Sequence, residues 1–339
     1  MKNENKLLLP LWLIVIFLIF VTLYIAKSII ITIIFTSILL FIFSGIYGFF
    51  QKIFHKQIIS FILTGWVFLL FFFSIGYIVS SQIDAFAGDI SKIWAWLTEL
   101  TGKYDILGKY TQDFDIMSLL QKIDFAGIGR SALGIISWII GGLSTVGFLL
   151  IFLMLEKNMF QKKFQKILGK KHEKKFFEIY QKIYDDMNTF FLSKFALALF
   201  NAIISAIIMF SFGLEYALMF ALLVFLLDFI PAIGWLIALS LPFLYSFAVF
   251  DNSFSSFFLL ACLFIPQFIS GNIIEPKIMG NRLNLSSFVI LLALIFWSSI
   301  WGLIGAFLAV PLMAAINIVL ARFDNTKPIA IILSKNGEI

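Results

Sequence analysis

The feature that most constrains this chain is a series of apolar runs too long for a water-soluble core helix. Leu7 to Ala26, Ser28 to Phe50 and Ile59 to Ser80 follow one another almost without interruption. Each holds about 20 residues, enough to carry an α-helix across the hydrocarbon of a bilayer. The first run is too long for a signal peptide and lacks a small-residue cleavage site, so it is expected to stay as a span. Composition agrees. The 339 residues are 61% hydrophobic and 13% charged, whereas a soluble domain is about a quarter charged. The mean hydropathy is +1.03. The 43 phenylalanines exceed what a water-soluble core would hold.

The character changes over residues 81–130, where Asp84, Asp89, Glu99, Asp105, Asp113, Asp115 and Asp124 face Lys92, Lys103, Lys109, Lys122 and Arg130. Ile83, Phe86, Ile90, Ile93, Trp94, Leu97 and Leu100 recur there at helical spacing, predicting an amphipathic helix on or above the membrane that caps the bundle. A fourth span is predicted over residues 131–155. Residues 156–189 then carry nine lysines, among them Lys157, Lys163, Lys171 and Lys182, against five acids. Their apolar stripes, Phe160, Phe164, Ile167 and Leu168, then Phe176, Tyr180, Ile183, Tyr184 and Met187, predict basic amphipathic helices at an anionic leaflet. In a chain this apolar, the net charge of +6 is a membrane-orientation signal rather than a sign of nucleic-acid binding.

The remainder is nearly continuous apolar sequence, with candidate spans at Phe190–Phe212, Glu215–Ile230, Trp235–Phe250, Ser255–Ser270 and Ser287–Leu320. Pro231 with Gly234, Pro266 with Gly271 and Pro276, and Gly302 with Gly305 and Pro311 interrupt these runs. Broken helices persist at membrane depth only where protein or a wet cavity satisfies the freed backbone groups. Many transporters build their sites from such helices. The expected organisation is three helices over 1–80, the segment 81–130, the span 131–155, the basic segment 156–189, a C-terminal bundle over 190–321 and a tail over 322–339. Basic loops mark the cytoplasmic side. Lys52, Lys56 and the lysines of 156–189 therefore lie inside with both termini, and 81–130 lies outside.

Several chemistries are absent from the sequence. There is no G-x-x-x-x-G-K-S/T loop for ATP, no H-E-x-x-H and no G-x-S-x-G. His55 and His172 are the only histidines and Cys262 the only cysteine, which excludes a His-rich metal site and an intramolecular disulfide. No cofactor and no enzymatic activity are expected. Asp228, alone in an apolar run, is the most informative single residue. An ionisable group within a membrane segment faces a cavity or a partner. It is read either as a coupling carboxylate or as a helix-end residue held by backbone N–H groups beside Pro231. The densest polar cluster runs from Pro266 to Arg282. Gln267 and Asn272 lie near a span terminus. Pro276 disfavours the α region for Glu275, so the Glu275-Pro276-Lys277 link is expected to break the helix, with Glu275 and Lys277 as its ion pair.

These residues carry a resemblance. Asp228-Phe-Ile-Pro231-Ala-Ile-Gly234, Asn272-Ile-Ile-Glu275-Pro276-Lys277-Ile-Met-Gly280-Asn-Arg282-Leu, and Phe296-Trp297 through Trp301-Gly302-Leu-Ile-Gly305-Ala-Phe-Leu-Ala-Val-Pro311-Leu resemble the AI-2E family of bacterial transporters. The layout of the whole chain is similar too. The resemblance implies an all-α, polytopic bundle of about eight spans with broken or re-entrant helices in the C-terminal half. It also implies transport, in a family associated with export of autoinducer-2, some of whose members resemble sodium/proton antiporters. A weaker echo relates Trp235–Pro242 to Gly302–Pro311, both Gly/Pro-marked segments.

The expected function is export of a small polar solute across the bacterial inner membrane, downhill or coupled to an ion gradient. A monovalent cation/proton antiporter and a non-transporting scaffold are the alternatives. Asp228, Pro231, Gly234, Gln267, Asn272, Glu275, Pro276, Lys277, Gly280, Arg282 and Pro311 are assigned to the path or to coupling. Expected partners are the solute or ion, anionic lipid and further copies of the chain. Gly141, Gly142, Gly302 and Gly305 permit close helix packing, and a pentamer is the oligomer considered. The topology makes a first prediction: with Cys262 replaced, an impermeant thiol reagent labels Lys103→Cys in intact cells and leaves Lys171→Cys unlabelled until the membrane is opened. The reverse pattern would overturn the topology.

Overall fold

The computed structural model describes residues 20–103, 177–230, 234–279 and 285–335, residue 337, and scattered positions within 14–18 and 145–152. Its described residues form an all-α bundle. Five helices are long and apolar enough to cross a membrane, and three shorter apolar helices accompany them. Most of the span predicted at 131–155, the basic segment before residue 177, and Pro231, Gly280 and Arg282 lie outside the described residues.

Helix α1, Lys27–Phe54, ends where His55 takes a left-handed φ of 55° and its N–H bonds to the carbonyl of Gln51. That cap reverses the chain into α2, Gln57–Lys103, and Phe43 packs its ring between Phe61 and Phe68 of the returning helix. The 47 residues of α2 would extend about 70 Å at the α-helical rise, far beyond the hydrocarbon thickness. The expected surface helix after residue 80 is therefore, as far as Lys103, an unbroken continuation of the third span. No proline interrupts residues 81–103, and the apolar spacing continues, so nothing in the sequence stops the helix. Similarly, α3, Phe177–Ser211, absorbs the last residues of the basic segment as its opening turns.

The C-terminal half is built from two helical hairpins around a long helix. Helices α4, Ala217–Leu227, and α5, Gly234–Val249, form the first. Tyr245, near the end of α5, donates from its hydroxyl to Glu215 beside the start of α4 at 2.9 Å, so the two helices are antiparallel. At 11 residues α4 reaches only about 16 Å, which puts the tip of this hairpin, beginning at Asp228, partway through the bundle. Helix α4 is buried on nearly all sides, as expected for a helix apolar all round. Helix α6, Ser253–Ile278, follows. The second hairpin joins α7, Ser287–Trp301, to α8, Leu303–Leu320, through Gly302 at φ 64°. A short helix, α9, Lys327–Leu333, closes the described chain. Ser286 N–H bonds to the carbonyl of Leu333.

The hairpins enter from opposite ends. Arg322, just after α8, pairs with Asp186 in the first turns of α3. The open end of the second hairpin therefore lies at the start of α3. The first hairpin opens at the other end of α3, where Tyr216 donates to Asp89 at 3.0 Å and Gln82 accepts from the N–H of Met219 at 3.2 Å. A phenol is protonated at neutral pH, so Tyr216 can serve as this donor. Phe86 fills the space between Tyr216, Phe220 and Tyr245. The two hairpins meet inside, where the rings of Phe229 and Phe307 lie 4.9 Å apart.

Large apolar side chains such as Leu69, Phe73, Phe254 and Phe257 point outward, as lipid-facing positions do. Many hydroxyls within the spans bond back to their own helices. Thr36 donates to the carbonyl of Thr32 and Thr64 to that of Ser60, which satisfies them without water. Both hairpins also depend on a close backbone approach. A β-carbon on Gly234 would lie 1.9 Å from the carbonyl oxygen of Leu227, and one on Gly305 would lie 1.9 Å from that of Trp297. Gly234→Ala and Gly305→Ala are each expected to destabilise the protein by about 1–3 kcal/mol, as overpacking does. Gly65→Ala, whose added carbon meets nothing within 4 Å, should stay within about 0.5 kcal/mol. Denaturant unfolding in mixed micelles makes the comparison.

Candidate functional site

Helix α3 carries a polar face through an otherwise apolar stretch. Lys194, Ala198, Asn201 and Ser205 are all buried and lie on one side at i, i+4, i+7 and i+11. Asp228 caps the C-terminal end of α4 and comes to rest against that face. A helix C-terminus offers carbonyl groups and a partial negative charge, which disfavours a carboxylate. Among the described residues, the groups that hold Asp228 are side chains. Lys194 Nζ lies 3.4 Å from Asp228 Oδ2. The side-chain amides of Asn201 and Gln267 donate to Oδ1 at 3.4 and 3.5 Å.

Helix α6 supplies the second carboxylate. Lys194 Nζ donates to Glu275 Oε1 at 3.3 Å and to Oε2 at 3.2 Å. Gln267 and Glu275 are eight residues apart, which in a regular α-helix would separate their directions by about 80°. Residues Ser270–Ile274 form a π-helical turn, and the extra residue such a turn absorbs brings Glu275 back onto the face of Gln267. The expected break at Pro276 does not occur. Glu275 keeps φ −57° and ψ −49°, within the α region, and the helix runs on to Ile278. The wider turn moves the carbonyl below Pro276 away from its ring, relieving the clash that normally disfavours proline in a helix. Lys277 is exposed, and the partner of Glu275 is Lys194, not Lys277.

A cavity of about 530 Å³ opens beside this cluster. Lys194, Asp228, Gln267, Asn272 and Glu275 line it together with the rings of Phe190, Trp235, Phe264 and Phe268. The structure thus brings together Asp228, Gln267, Asn272 and Glu275 from the sequence-derived set. Asn272 lines the cavity while its side-chain amide donates to the carbonyl of Phe268 at 3.0 Å. Gly234 serves the hairpin tip. Pro311 borders a separate small apolar gap among α1, α2, α3, α4 and α8. Among the described residues no cluster of three or more His, Cys, Asp or Glu side chains could hold a metal ion.

The sequence profile of the AI-2E family transporter matches residues 13–325 of this chain. The chain belongs to the AI-2E transporter family. It is 24% identical over 241 residues to the AI-2 transport protein TqsA of Escherichia coli (strain K12), covering 70% of this chain and 69% of that relative. It is 26% identical over 238 residues to a Borreliella burgdorferi chain named "Putative transport protein", covering 68% and 64%. A Haemophilus influenzae chain of the same name is 41% identical over 107 residues, 31% and 30% of the two chains. This AI-2E protein is accordingly a polytopic membrane protein of a transporter family.

Lys194 and Asn201 went unrecognised in the sequence because they sit inside one apolar run. Their spacing carried the signal: a lysine, then an asparagine seven residues on and a serine four further, marks one polar face in a membrane helix. Removing one partner of a buried charge pair costs about 3–5 kcal/mol, because the remaining charge is left uncompensated. Lys194→Met is expected to destabilise the protein by about that amount. Adding Glu275→Gln should recover part of the loss, so the double variant is less destabilised than the sum of the singles. Additivity in a double-mutant cycle would mean that the pair is not coupled.

Proposed function

We propose that this AI-2E protein moves a small polar solute outward through its C-terminal half, residues 190–321. The observation that carries the reading is the cavity itself. It is concave, mostly apolar with several aromatic rings, and supplied with a few convergent polar groups, the ordinary make-up of a small-molecule site. It lies where two helical hairpins entering from opposite ends of the bundle meet, and discontinuous helices of this kind commonly surround the site of a secondary transporter. No ATP loop occurs in the sequence, so the movement is downhill or driven by an ion gradient. The name of the Escherichia coli relative makes an AI-2-like signal the first solute to test. The lysine-rich cytoplasmic side and a bacterial inner-membrane setting belong to this reading. The Asp186–Arg322 pair supports it by joining the basic segment and the C-terminal tail at one end of the bundle.

Flux measured per reconstituted protein in proteoliposomes, over a panel of solutes and with imposed pH or sodium gradients, tests the proposal. Glu275→Gln and Asp228→Asn are each expected to slow transport at least about tenfold, the size of effect that the loss of one charge-assisted contact produces. Expression and oligomer size should be unchanged. Normal flux in both variants would remove the cluster from the path. Absence of flux for every solute, in protein that unfolds with a single sharp transition, would favour a scaffold.

A further inference from the structure

Hydrogen-bonding capacity at the cavity is unbalanced. Asp228 takes the amide N–H groups of Asn201 and Gln267, and a carboxylate only accepts, so both amides must present their nitrogen to it. Their carbonyl oxygens are left over. Asn201 Oδ1 and Gln267 Oε1 are buried and have no hydrogen-bond partner, on side chains only 2% and 8% exposed. The charges lean the same way. Among the described residues lining the cavity, Lys194 stands against Asp228 and Glu275, which leaves one net negative charge when all three are ionised. Lys194 is engaged by both carboxylates, which leaves little of its charge for an anionic solute. Among the described residues the site therefore offers two unpartnered acceptors and one excess negative charge.

The walls narrow the class further. Trp235 and Phe264 stand edge to face with ring centroids 5.8 Å apart, and Phe264 stacks on Phe268 at 5.7 Å. Aromatic faces attract cations, more so where water is excluded. A bare metal ion would use neither these rings nor a 530 Å³ space, and hard cations take six or more oxygen ligands.

We propose that the solute site of this protein accepts a small organic cation, a primary ammonium on a short carbon skeleton. The ammonium group competes with Lys194 for Glu275 and Asp228, and the skeleton lies against Trp235, Phe264 and Phe268. Lys194 then acts as the resident cation of the empty site. Glu275, whose side chain is 27% exposed against 13% for Asp228, receives the incoming group first. This inference rests on the reading of the C-terminal half as a solute pathway.

The test uses the full chain in nanodiscs and proteoliposomes with three four-carbon probes at about pH 7: 4-amino-1-butanol, erythritol and succinate. Calorimetry should show saturable binding of the aminoalcohol only, and flux should follow the same order. Glu275→Gln should weaken that binding about tenfold, as loss of one charged contact does. Lys194→Met should strengthen it by a similar factor, and the aminoalcohol should raise the unfolding temperature of that variant more than that of the parent. If Lys194→Met fails to fold, Glu275→Gln alone decides. Erythritol or succinate moving in place of the aminoalcohol would overturn the cation assignment while leaving the pathway standing. Loss of succinate binding in Lys194→Met would make the lysine an anion site and overturn it equally. Saturable sodium binding without aminoalcohol binding would replace the ammonium by an inorganic ion. If none of the three probes binds or moves, the ammonium assignment falls, and the wider flux panel then judges the pathway by itself.

Discussion

In hydrocarbon no water is available to satisfy a backbone group or a charge, and the departures from regular helix inside the described bundle are organised around that constraint. The regular stretches need little further, because their N–H and C=O groups pair internally and most of their described hydroxyls bond back to carbonyls three or four residues before them. Among the described residues, the irregular places inside the bundle are the tip between α4 and α5, the turn at Gly302 and the π-turn of α6. Each leaves backbone groups that only neighbouring protein or an internal wet space can satisfy. All but the Gly302 turn border the polar cluster. Gly302 instead adjoins Trp301, whose indole N–H donates to the carbonyl of Leu23 at 3.0 Å.

The two hairpins answer the constraint in similar ways. Each turns back inside the bundle, and each uses a glycine where its second helix passes close to a carbonyl of its first. Gly305 lies within Gly302–Pro311, whereas Gly234 just precedes the segment that echoes it, Trp235–Pro242, so the two glycines do not align with one another. Their common role comes from the hairpin geometry. A hairpin confined to part of the membrane depth needs a tight reversal and near contact of its legs, and only glycine permits a separation at which a β-carbon would collide. The differences are also informative. The first tip carries Asp228 and is held by charge, whereas the second is apolar and is held by packing and the Trp301 hydrogen bond.

Much of this was legible in the sequence. Run length and hydropathy dictate helices across a membrane, and the clustered Gly and Pro mark where those helices break. Asp228 stands out because a carboxylate in an apolar run demands a partner. The partner itself was hidden. Lys194 and Asn201 emerge only when an apolar run is read by helical face, and their role depends on a hairpin that returns the chain to them from residues 217–228. Pro276 misled for a related reason. A local rule places Glu275 outside the α region, but one wide turn at Ser270–Ile274 relieves the clash and rotates the carboxylate onto the face of Gln267. Local preference gave way to a tertiary contact, Glu275 with Lys194, formed between residues 81 positions apart.

The choice of lysine at position 194 follows from what it must hold together. Apolar packing is nondirectional, and it leaves the tip of the first hairpin free to slide along α3 and α6 at little cost in buried area. The ion cluster removes that freedom, because Asp228 on the tip and Glu275 on α6 must both reach one cation on α3. An arginine would pair bidentately with a single carboxylate through its planar fork, whereas the ammonium of lysine is a compact charge with three donors on a flexible stem. It can face two carboxylates from different helices at once, at 3.4 and 3.2 Å here, and can change its share between them without a change of backbone. A group that neutralised either carboxylate would therefore alter the hold on both elements. The same cluster thus ties the hairpin tip, α3 and α6 to one another beside the cavity.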